Sequence, residues 1–156
     1  REFHYVGSDT LKKHKSMLTP SALNTLKRLI INNSWWDTVD TLAVHPIGQI
    51  IFNFSETRQI MDTWIEDDNM WVRRAAILHQ LQFKIETNEH RLFYYCKKCM
   101  DEKEFFIRKA IGWALRQYSY INPEAVLQFV HQNVKKLSLI SKKEALKRIN
   151  QNTIFK

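Results

Sequence analysis

Glycine and proline are scarce, with only three of each in 156 residues. A sheet-rich fold needs turn residues at short intervals, so this scarcity argues against strands, while plentiful Leu, Ile, Lys, Gln and Glu argue for helices. Cysteine is rarer still: Cys96 and Cys99 form a lone Cys-Lys-Lys-Cys. No second Cys or His pair lies at metal-ligand spacing and no strand precedes the motif, so the two read as reduced structural thiols rather than a redox or zinc centre. Also lacking is any apolar run near the roughly 18 residues that span a bilayer, and no secretory segment opens the chain. A soluble, cytoplasmic protein with no membrane partner is expected. Acidic residues are outnumbered, 16 against 24 Lys and Arg, which gives a formal charge of +8. Such a surplus favours polyanions, nucleic acid first among them.

The length and the 44% hydrophobic content suit one domain, residues 1–156, with a real core. The opening "REFHYVGSDTLKKHK" has no initiator Met and reads as the inside of a helix, so a longer parent protein is expected.

Capping signals divide the chain into helices of ordinary length. Thr19-Pro20 opens one that runs to about Asn32. Ser34 caps the next, which begins at Trp35 and should kink or break, dividing near His45, because Pro46 and Gly48 follow. Ser55 opens a helix through about Glu66, Asn69 opens "MWVRRAAILHQLQFK", and Thr87 opens "NEHRLFYYCKKCM". The last three cover about Lys103 to Tyr120, Asn122-Pro123 to Asn133, and Ser141 to Asn150. Connections of two to seven residues make successive helices antiparallel hairpins. "WVRRAAI" and "FIRKAIG" match at an offset of 35 residues, which also carries Trp36 onto Trp71. That period is the mark of stacked two-helix repeats of the HEAT or armadillo sort, an all-α curved superhelix or solenoid.

Three helices carry residues that plain packing explains poorly. In "EFFIRKAIGWALRQYSY", Ile107, Ala110, Ile111, Ala114, Leu115 and Tyr118 form the core stripe. Lys109, Trp113 and Arg116 fall on the other side, with Gly112 near them leaving the backbone approachable. This is either an aromatic floor in a basic groove or a contact between repeats. In "WVRRAAILHQLQF", Trp71, Ile77, Leu78, Leu81 and Ile85 make the apolar stripe. Arg74 interrupts it, with Arg73 at the edge. A guanidinium there needs a fixed anion, whether a phosphate or a structural carboxylate, since stranding it costs several kcal/mol. In "SWWDTVD", Trp36 and Asp40 are i, i+4 neighbours bordering the apolar Trp35, Val39 and Leu42, with Trp35 expected in the core. Asp37, in the first turn, favours the helix dipole. A carboxylate facing a polyanion needs either a chemical role or an arginine to neutralise it.

The segments "SWWDTVD", "DNMWVRRAAILHQLQFK", "EFFIRKAIGWALRQY", "NPEAV" and "LSLISKKEALKRI" resemble successive signatures of the AlkD-type DNA alkylation repair glycosylases. The resemblance runs from the first residues to about Ile149 and implies a solenoid of HEAT-like repeats, extended in that family by further N-terminal helices. It implies hydrolysis of the N-glycosidic bond of cationic alkylpurines, such as N3-alkyladenine and N7-alkylguanine, in duplex DNA. It implies a cleft formed by Trp36, Asp40, Arg74 and Trp113, no cofactor or metal, no obligate protein partner, and a monomer. Lys109, Arg116 and Arg73 join Arg74 as DNA-binding cations on the helical reading. A non-catalytic binder of unusual DNA structures and a HEAT-like protein scaffold are the competing readings.

Overall fold

The computed structural model describes residues 2–32 and 34–153. All regular structure among them is helical, without a strand, as the scarcity of turn residues requires. No described helix is long and apolar enough to cross a membrane. The chain forms two compact units, residues 1–82 and 83–156.

The first unit contains α1 (Glu2–Lys13), α2 (Leu23–Ile31), α3 (Trp36–Leu42), α4 (Gly48–Asn53), α5 (Arg58–Trp64) and α6 (Met70–Leu78). Its core includes Leu26, Ile30, Leu42, Ile50, Met61 and Val72. The α-helix is interrupted near His45, as expected, by a wider turn and not by a loop. Pro46 lies inside a π-helical turn, Ala43–Ile47, that joins α3 to α4. Proline removes one backbone donor and crowds the carbonyl four residues earlier; a wider turn with i→i+5 spacing relieves that crowding without ending the helix. Gly48 follows because α4 runs close to the end of α6. A Cβ there would lie 2.6 Å from the His79 carbonyl oxygen.

Ser34 does not cap α3. Its hydroxyl donates back to the carbonyls of Ile30 and Ile31 and so serves the C-terminal end of α2. The cap position of α3 falls to Trp35, in extended backbone with no side-chain capping bond, and its ring is exposed rather than in the core. The apolar stripe of α6 also ends earlier than its sequence suggests. The helix stops at Leu78, a short 3-10 turn follows at Lys84–Glu86, and Ile85 is 76% exposed. Asn69 caps α6 as expected, accepting from the Trp71 backbone N–H at 2.9 Å.

The second unit contains α7 (Glu89–Cys99), α8 (Phe105–Tyr118), α9 (Pro123–Gln132) and α10 (Leu139–Thr153). Asn88, one residue after the expected Thr87, caps α7 by accepting from the Arg91 N–H. Asn122 caps α9, and Ser138 caps α10 three residues before the expected Ser141. The core stripe of α8 is buried at every expected position. Cys96 and Cys99 are free and buried; burial pushes the Cys96 thiol well above its ordinary range, so it stays protonated and packs as a small apolar group.

The offset of 35 residues is visible in the fold. α6 begins at Met70 and α8 at Phe105. Arg73 donates from Nη1 to the carbonyls of Asp67 at 2.7 Å and Asp68 at 2.9 Å. Arg108, its counterpart, donates from Nε to the carbonyl of Glu102 at 2.8 Å. Each arginine reaches back six residues to fasten the loop that leads into its own helix.

Candidate functional site

In the first unit, Asp40 near the end of α3 and Arg74 in the middle of α6 form a two-pronged pair. Arg74 Nε donates to Asp40 Oδ1 and Nη2 to Oδ2, both at 2.7 Å. The planar guanidinium matches the carboxylate fork, a geometry that lysine cannot supply. Asp40 is 7% exposed and Arg74 4%, so the pair is desolvated. Burial pushes the Asp40 carboxyl above its ordinary value, against the downward pull of Arg74's hydrogen bonds and charge. The anion that a buried Arg74 needs is thus supplied by the protein, which ties the two face anomalies of the sequence into one feature.

Trp36 opens α3 and lies one turn before Asp40. The tryptophan residue is 44% exposed. A partly exposed tryptophan therefore sits one helical turn from a carboxylate that is almost dry. The combination has chemical content: an electron-rich surface able to receive a cationic or sugar-like group, beside a carboxylate that Arg74 holds in a fixed orientation.

Arg73, one residue before Arg74, is half-buried and committed to the loop carbonyls of Asp67 and Asp68. That loop is also held by Lys27, which bridges to Asp67 Oδ2 at 2.6 Å, and by the Asn69 N–H bonded to Asp67 Oδ1 at 2.9 Å. Its role in the structure is to fix the approach to α6.

In the second unit, Lys109, Trp113 and Arg116 share a side of α8, as the helical period predicts, and Trp113 is half-buried. The backbone at Gly112 is not left for a ligand. α10 occupies that approach, with the Glu144 Cβ 2.6 Å and the Ser141 carbonyl oxygen 3.0 Å from where a Cβ of residue 112 would stand. Glu144 bridges the two cations: Lys109 Nζ is 3.2 Å from Oε2, and Arg116 Nη1 pairs with Oε1. Burial works to raise the Glu144 carboxyl, but Lys109, Arg116 and Lys147 outweigh it and hold the group below its usual value. Sequence reasoning missed Glu144. The available signal was its offset of 35 residues from Lys109 in a chain with that period.

Among the described residues, no group of three or more His, Cys, Asp or Glu side chains could hold a metal ion.

Comparison with known proteins gives these features a context. The family model described as DNA alkylation repair enzyme matches residues 1–149. No curated protein matches the sequence significantly. Among solved structures, the chain is similar to one described as a predicted DNA alkylation repair enzyme from Enterococcus faecalis. The two are 32% identical with a TM-score of 0.86, over 94% of this chain and 68% of the other.

Proposed function

The chain belongs to the family of DNA alkylation repair enzymes, and from that premise we propose that it is a glycosylase of the AlkD type. It removes cationic alkylpurines, such as N3-alkyladenine and N7-alkylguanine, from duplex DNA by hydrolysing the N-glycosidic bond. The observation that carries the reading is the buried two-pronged Asp40–Arg74 pair one turn from an exposed Trp36. A pair that only stabilised the fold could be replaced by well-packed apolar residues at little loss, and it would need no open aromatic beside it.

The chemistry asks little of a general acid. When the C1′–N bond of an alkylated purine breaks, the electron pair leaves with the base, which departs neutral. Positive charge then grows on the deoxyribose, water adds to C1′, and its proton passes to solvent. Asp40 supplies the negative charge that stabilises this oxocarbenium-like state, a case of electrostatic preorganisation. Both of its oxygens are oriented by Arg74 and retain lone pairs that can align the attacking water. Arg74's hydrogen bonds and charge favour the ionised form of Asp40 and offset part of the effect of burial. Trp36 presents its face to the cationic sugar. Trp113 is assigned an aromatic role on the DNA by the family resemblance alone. Lys109 and Arg116 serve the phosphate side. No cofactor or metal enters the scheme, and duplex DNA is the partner.

The test is release of base from duplex DNA containing N7-methylguanine. Release above the spontaneous rate, reduced about 10²- to 10³-fold by Asp40→Asn, is the expected result. DNA binding with release no faster than spontaneous would replace the glycosylase reading with that of a non-catalytic DNA-binding relative.

A further inference from the structure

The Lys109–Glu144–Arg116 cluster has the form of a phosphate site already filled by a carboxylate. Lys109 and Arg116 are seven residues apart on α8, so they project on the same side of the helix. One carboxylate answers both, oxygen by oxygen, as two oxygens of a phosphate would. Lys147, one turn after Glu144 on α10, adds a third positive charge felt by the same carboxylate. The Lys109 side chain is 43% exposed, so the cluster is open at that end. Glu144 itself is held in place from below by the close crossing of α10 at Gly112 and by Ser141, whose hydroxyl donates to the Arg108 carbonyl at 2.8 Å.

Resting on the DNA reading above, we propose that Glu144 occupies the seat of a DNA phosphate and limits how many cations α8 presents to the duplex. It is a positioning residue: it holds Lys109 and Arg116 in gripping geometry and cancels part of their charge until a phosphate competes for them. An enzyme that must search long stretches of undamaged DNA gains from such a limit, because affinity for the backbone is independent of sequence and lesion.

The test is duplex-DNA binding by the whole chain, measured across a range of salt concentrations. Each phosphate newly neutralised steepens the slope of log affinity against log salt by about 0.9. Glu144→Gln keeps the side-chain carbons that pack at Gly112, and it should steepen the slope by about one to two such steps while tightening binding at low salt. Adding Lys109→Gln to that variant should return part of the slope. An unchanged or shallower slope in a folded Glu144→Gln overturns the proposal. If that variant does not fold, the pair Lys109→Gln and Arg116→Gln in the native background decides. The proposal expects this pair to lower the slope by well under the two steps of free cations; a loss of both steps overturns it. Wild-type binding that depends on salt but fails these tests sinks only the role of Glu144. Absence of DNA binding in wild type and variant alike sinks the DNA reading together with it.

Discussion

Arg74 and Lys109 stand at corresponding places in two repeats, each one residue after an arginine that fastens the preceding loop, and each grips a carboxylate from another helix. Their surroundings differ. Arg74 and Asp40 are nearly dry and matched one to one, whereas Glu144 sits among Lys109, Arg116 and Lys147 with Lys109 partly in solvent. The same repeat position therefore yields a costly pair in one unit and an inexpensive one in the other. Desolvation explains the difference: two charges removed from water recover little unless their geometry is close to ideal, while a partly wet cluster gives up little and gains little. On the proposed function, the expensive arrangement is kept because a dry, oriented charge does the chemistry.

Breaking each pair should expose that asymmetry. Arg74→Met leaves Asp40 buried without its partner, so it should lower unfolding free energy by about 3–5 kcal/mol and remove base release. The double variant Asp40→Leu with Arg74→Met should regain most of the stability in urea titrations and none of the activity. Lys109→Met should change stability by about 0–1 kcal/mol. Equal losses from the two single variants would erase the distinction.

Acidity separates the two carboxylates by sign. Burial raises Asp40 above its unfolded value, so its folded form favours the proton. Its contribution to stability declines as pH rises through that window, and the ionised form that the proposed catalysis needs is lost sooner on acidification. The acid limb of base release should accordingly lie higher in pH than an ordinary aspartate would place it. Glu144, held low by its cations against the effect of burial, contributes stability above its unfolded value and loses it as pH falls through the folded one. Comparing Asp40→Asn with Glu144→Gln in unfolding experiments over the acid range should give pH slopes of opposite sign relative to wild type.

The smallest effect tests the likeness rather than the difference. Arg73→Ala and Arg108→Ala each remove charge-assisted bonds to loop carbonyls and should destabilise by similar amounts, about 1–2 kcal/mol each. Thermal unfolding of the two variants measures it, and a clear disparity would show that only one loop depends on its arginine.

Much of this was legible in the sequence because helical period reports directly on which side of a helix is buried. The stripe of α8 and the intrusion of Arg74 into that of α6 follow from spacing alone, and burial of a guanidinium obliges a fixed anion nearby. Spacing within one helix does not say what covers its other face. Glu144 lies 28 residues beyond Arg116, so the crossing of α10 at Gly112 left no mark on α8 beyond the glycine itself. Periodicity also fails at helix ends. Trp35 falls one residue outside α3 and Ile85 beyond the end of α6, so each is exposed where an extrapolated stripe would bury it. Pro46 marked the place of the interruption but not its form, since a breaker residue has a second remedy, a wider turn, that pattern alone does not reveal.

That wider turn does more than tolerate a proline. Asp40 meets Arg74 of α6, and Gly48 meets the carbonyl just past the end of α6, so both must point the same way. Eight residues at about 100° each would leave them on the order of 80° apart around an ordinary helix. A π turn absorbs about one residue, reducing the discrepancy to roughly 20°. The segment Ala43–Ile47 thus carries one residue more than its packing needs, and Pro46 is the natural candidate for the surplus. A chain lacking Pro46 would be straighter and simpler there, yet would keep Asp40 and Gly48 in phase with α6. A deletion elsewhere between Gly48 and Asn53 would swing the following residues out of phase by about a quarter turn.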